Sequence, residues 1–64
     1  MKYIFLHEAE SGKEIMINPK TIEMIKEGKM ECKILFQSHS TFVKESYEEV
    51  KEAVLKWASL VDGE

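Results

Sequence analysis

The chain has no arginine, one cysteine, one proline and three glycines, and its longest apolar run, Tyr3-Ile4-Phe5-Leu6, is four residues long. Each shortage excludes something. Phosphate backbones are gripped by clustered lysine and arginine, and the commonest base-specific contact is a bidentate arginine. Here nine lysines are scattered among twelve acidic residues, for a net charge of −3. That pattern is a mixed-charge, solvated surface, and it disfavours nucleic acid as a partner. An apolar run of four cannot span a membrane, which takes about 20 residues. The N-terminus also lacks the longer apolar stretch and small-residue cleavage site of an export signal. Cys32 has no second cysteine to pair with. The expected location is therefore the reducing cytoplasm. The isolated glycines 12, 28 and 63 form no phosphate-binding loop.

What is present is a small globular composition. At 64 residues and 44% apolar content, there is material for one core. A chain of this size buries only about 60% of the surface that it exposes unfolded. The expected organisation is one domain over residues 1–64, with strands within 2–44 and a helix at about 46–60. Residues 2–7 alternate, with Tyr3, Phe5 and His7 on one face and Ile4 and Leu6 on the other. Residues 8–12 read as a hairpin connection, and residues 14–17 as a short strand with Ile15 and Ile17 inward and Met16 opposite. Asn18-Pro19 is a stop, because proline donates no ladder hydrogen bond and restricts the residue before it. Residues 21–26 are expected to form a strand, bulged near Met24-Ile25. Gly28 supplies a turn by accepting positive φ. Met30, Cys32, Ile34 and Phe36 then share one strand face. A turn at Ser38-His39-Ser40 leads to a last strand at residues 41–44.

The helix is the best-marked element. Ser46 and Glu49 have capping-box spacing, Glu48 and Glu49 favour the positive helix start, and Val50, Ala53, Val54, Trp57 and Val61 repeat at helical spacing. A lone amphipathic helix must bury its stripe on the sheet. The expected fold class is α+β: an antiparallel meander of about five short strands, curled toward a barrel, with one C-terminal helix packed on it.

Candidates for chemistry are few. His7, His39 and Cys32 have no metal-ligand spacing, whereas a closed zinc site takes about four ligands. Ser38-His39-Ser40 pairs a base with hydroxyls, but neighbours in one turn rarely reach the geometry of a nucleophile and its base, and no orienting carboxylate is identifiable. Eleven glutamates make chance carboxylate pairs inevitable. No catalytic, metal-binding or cofactor-binding residue is assigned, and an enzyme is not expected. Met16, Met24 and Met30 are expected to fill gaps in a small core rather than to form a binding patch.

A wider pattern carries a resemblance. Gly12-Lys13-Glu14, then Ile17-Asn18-Pro19 with Ile22-Glu23-Met24-Ile25, then Cys32-Lys33-Ile34-Leu35, and finally Val43-Lys44-Glu45-Ser46-Tyr47-Glu48-Glu49-Val50 resemble the flagellar FlbD (SwrD) family of short bacterial proteins. The likeness covers roughly residues 2–57. It departs at Ser38-His39-Ser40, where the family usually has a glycine turn, and at Glu8-Ala9-Glu10-Ser11, which the family tends to lack. The resemblance implies a cytoplasmic accessory of flagellar motility, linked to motor power and not to catalysis. A lesser likeness, in the sheet-to-helix transition, is to LytTR-type DNA-binding domains.

The expected function is thus a small non-enzymatic protein-interaction domain with a protein partner, such as a flagellar motor component. The open edges Glu14–Ile17 and residues 41–44 are the expected docking strands, and self-pairing into a homodimer would cover surface that a small core cannot. The alternative is a phage or mobile-element regulator that binds a host protein or nucleic acid, using a lysine stripe of Lys2, Lys13, Lys33 and Lys44.

Overall fold

The N-terminal alternation becomes strand β1 (Ile4–His7), with Ile4 and Leu6 buried and Phe5 and His7 outside. The structure is a computed structural model; it describes residues 3–62, and side-chain surroundings for residues 3–60. β1 pairs antiparallel with β2 (Glu14–Ile17) in the register Ile4–Ile17, Phe5–Met16, Leu6–Ile15, His7–Glu14. Gly12 turns the chain between them at φ 75°, a conformation that costs glycine nothing.

Asn18 ends β2 by its own chemistry. Its side chain accepts the Lys20 N–H at 3.0 Å, and its carbonyl accepts the Thr21 N–H at 3.0 Å and the Thr21 hydroxyl at 2.7 Å. The result is a 3-10 turn over Pro19–Thr21. Thr21 therefore closes a turn instead of opening a strand. A second antiparallel sheet follows, of order β3-β4-β5, from β3 (Ile22–Glu27), β4 (Cys32–Phe36) and β5 (Ser40–Val43). The register of β3 against β4 shifts between Ile22 and Met24, one to two residues before the expected bulge. That extra residue lets Ile22 and Ile25 both pack on the core, while Met24 is left outside.

Gly28 is needed for a different reason from the one expected. Its φ is not positive; instead, a Cβ there would lie 2.3 Å from the Glu31 carbonyl oxygen. This tight turn keeps Met30 out of β4, and Met30 is 91% exposed instead of sharing the face of Cys32, Ile34 and Phe36.

Helix α1 (Tyr47–Asp62) starts with the reciprocal cap that the spacing implies. The Glu49 N–H donates to Ser46 Oγ at 3.2 Å, and the Ser46 N–H donates to Glu49 Oε1 at 3.1 Å. Val50 is fully buried, and Tyr47, Ala53, Val54 and Trp57 pack around it; the side chain of Val61 lies outside the described residues.

The sheets meet at one corner. The Lys44 N–H donates to His7 O at 2.8 Å and the Ala9 N–H to Phe42 O at 2.9 Å, around a single bridge between Glu8 and Val43. β2 and β3 lie in different sheets, separated by the 3-10 turn, so the sheets do not close into a barrel. The core draws on every layer: Ile4, Leu6 and Ile17 from the hairpin, Cys32, Ile34 and Val43 from the second sheet, and Val50 from the helix. The fold is α+β, with five short antiparallel strands and one C-terminal helix.

Candidate functional site

Three places on this scaffold bring polar or exposed groups together. The first is an open groove of about 820 Å³ between β2 with the 3-10 turn and the β4–β5 turn, lined in part by Ile15, Ile17, Lys20, Phe36, His39 and Thr41. The Ser38-His39-Ser40 turn sits on its wall. Ser38 Oγ lies 3.3 Å from His39 Nδ1, and the His39 ring stacks on Phe36 with centroids 4.7 Å apart and planes 24° apart. Among the described residues no carboxylate hydrogen-bonds to His39, so nothing orients the ring as a base. The described residues also hold no cluster of three or more His, Cys, Asp or Glu able to bind a metal ion. Cys32 is buried, away from this groove; burial pushes its thiol pKa up and the nearby charge of Glu27 adds to the rise, which opposes thiolate chemistry.

The second is a link between β1 and the segment entering the helix. One carboxylate, that of Glu45, accepts the His7 backbone N–H at 2.9 Å and sits 2.6 Å from His7 Nδ1. The two residues are 38 apart in sequence. Partial burial pushes the Glu45 carboxyl up, but the hydrogen bonds from the His7 ring and backbone, from its own backbone, and the His7 charge outweigh it and hold the pKa below the usual carboxylate range. No local sequence signal announces this pair.

The third is the pair of outer sheet faces. On the hairpin, Phe5 (49% exposed) stands directly opposite Met16 (60% exposed), with Tyr3 exposed beside them. On the second sheet, Met24 (52% exposed) faces Leu35, and Phe42 (44% exposed) faces Lys33. Met16, Met24 and Met30 thus lie on the surface and do not fill the core. Period two explains Met16, the bulge explains Met24, and the Gly28 turn explains Met30.

Of the two strands expected to dock partners, β2 is an edge, paired only with β1. β5 is not. It pairs with β4 on one side, and on the other its end is tied to His7, Glu8 and Ala9. The second edge is β3. Of the expected lysine stripe, Lys13, Lys33 and Lys44 lie among the described residues. Lys33 is on the outer sheet face, opposite Lys26. Lys44 places its ammonium beside Gly12, and Lys2 lies outside the described residues. No helix among the described residues is long and apolar enough to cross a membrane. No family model, curated protein or solved structure matches the chain.

Proposed function

We propose that this chain is a small non-enzymatic protein-interaction domain of the cytoplasm, acting as the flagellar resemblance implies, as an accessory of the motor. The observation that supports the interaction reading best is the Phe5–Met16 pair on the outer face of the hairpin, with Tyr3 beside it and the free edge of β2 next to Met16. Exposed, these side chains add only a cross-strand contact of about 0.2–1 kcal/mol to the hairpin. Burying one of them fully is worth about 1.5–3 kcal/mol, which a partner surface recovers. An unpaired edge adds backbone donors and acceptors for strand addition. A second copy of the chain is the simplest partner that such an edge could take.

The test is a Phe5→Ser/Met16→Ser double variant at native expression in the source bacterium. Far-UV circular dichroism should show the fold kept, because neither side chain is in the core. Swimming speed should fall, and a motor component captured by the wild-type chain in nuclease-treated lysate should be lost. Unchanged swimming with an intact wild-type phenotype on deletion would remove the motility role. Capture that disappears with nuclease in the wild type would replace a protein partner with nucleic acid.

A further inference from the structure

We propose that the outer face of the three-stranded sheet is a docking surface for an acidic, apolar-bearing segment of a partner protein. This rests on the interaction reading above but uses a different face from Phe5–Met16. The register places Met24 opposite Leu35, Lys26 opposite Lys33, and Lys33 opposite Phe42. Directly opposed like charges destabilise an antiparallel pair. The chain has twelve acidic residues, so a carboxylate at either position was an available remedy. The paired positions on this face carry none: they are Met24, Lys26, Lys33, Leu35, Ser40 and Phe42. The carboxylates nearby are at its rim, Glu23 in the bulge and Glu8, Glu10 and Glu31 around a hollow shared with Ser40 and Phe42. Among the described residues neither lysine forms an ion pair with a carboxylate. The Lys33 ammonium instead lies 5.5 Å from the centroid of the Phe42 ring.

A net-acidic molecule therefore keeps two opposed, unpaired lysines at the centre of this face, with three apolar side chains around them. A partner carboxylate set between the two ammonium groups would relieve their repulsion and accept charge-assisted hydrogen bonds. Met24, Leu35 and Phe42 would bury apolar side chains of the same segment. Nucleic acid fits less well. Two lysines offer little phosphate neutralisation, and single-strand platforms stack bases on successive aromatic rings, whereas this face has one ring between aliphatic neighbours.

The experiment selects a random-peptide phage library on the full-length chain and maps the selected peptides by amide chemical shifts. Enriched peptides should combine Glu or Asp with aromatic or aliphatic residues and should shift residues 24, 26, 33, 35 and 42. Lys26→Glu/Lys33→Glu should weaken their binding about tenfold or more, while Lys51→Glu/Lys56→Glu, the same charge change on exposed helix positions, should not. The single variant Lys26→Glu gives a second readout. It puts unlike charges opposite each other, so the free chain should melt higher while acidic peptides bind more weakly. Peptides without acidic bias, or shifts centred on Phe5 and Met16, would overturn the assignment of this face and leave the interaction domain standing. Shifts of the same amides by oligothymidylate, steeply weakened by salt, would overturn it in favour of nucleic acid. If no peptide is enriched, the docking face is removed, and the interaction reading is decided by the Phe5→Ser/Met16→Ser variant.

Discussion

Trp57 shows how one side chain can be both a support and a liability. Its ring packs against the core from the helix, yet its Nε1 is buried with no hydrogen-bond partner among the described residues. Deleting a large buried aromatic costs about 3–5 kcal/mol, and partial exposure of Trp57 puts Trp57→Ala toward the lower end. Total stability for 64 residues is about 3–10 kcal/mol, at roughly 0.05–0.15 kcal/mol per residue. Trp57→Ala should therefore remove about a third or more of the total, and unfold the chain outright where that total is only about 3 kcal/mol. Trp57→Phe keeps most of the ring and removes a buried N–H whose missing bond costs about 1–3 kcal/mol. It should lose less than about 1 kcal/mol, the relieved N–H offsetting the smaller ring. Urea titrations followed by far-UV circular dichroism compare the three chains. Equal damage from both variants would mean that the full indole shape is required, or that the N–H is satisfied in solution.

At the scale of elements, local chemistry was legible in the chain and long-range chemistry was not. Alternation put Ile4 and Leu6 on the face opposite Phe5, and packing makes that face the buried one; Ser46 with Glu49 marked the helix start that the reciprocal cap bears out. The position of the bulge was displaced, because a bulge is chosen by which isoleucines the core can take, and Ile22 and Ile25 are three apart. The expected curl toward a barrel does not close, because the 3-10 turn at Pro19–Thr21 puts β2 and β3 in different sheets. Glu45 was unreadable as a partner of His7, since nothing local ties residues 38 apart. That link has a pH signature. The folded pKa of Glu45 is depressed, so its stabilisation is fully present above the unfolded carboxylate value, about 4.3, and is lost as pH falls through the lower folded value. Glu45→Gln should be less stable than the parent chain near neutral pH, and the two stability curves should converge as pH drops below about 4. Curves that stay parallel down to the acid limit would show that Glu45 gains nothing from His7 as an anion.

At the scale of the whole molecule, the question is whether two sheets and a helix make one folding unit. The sheets share two backbone hydrogen bonds, which together make the one bridge between Glu8 and Val43 at a single corner, a thin direct connection. The core is shared far more evenly. The hairpin contributes Ile4, Leu6 and Ile17, the second sheet Cys32, Ile34 and Val43, and the helix Val50, in one cluster. A two-stranded hairpin alone is marginal at best in water, and a lone helix of this length is too. Each piece therefore exposes its core face if another leaves. The expected outcome is a single cooperative transition. Two probes can test it, because Trp57 is the only tryptophan and reports helix docking, while far-UV circular dichroism reports sheets and helix together. Thermal melts by the two signals should coincide, and the calorimetric and van't Hoff enthalpies should agree. A tryptophan transition that precedes loss of the strand signal would mean that the helix undocks from a sheet able to stand without it. Val50 and Trp57 would then be dispensable to the strands, and the Glu45–His7 link would be the contact to break first.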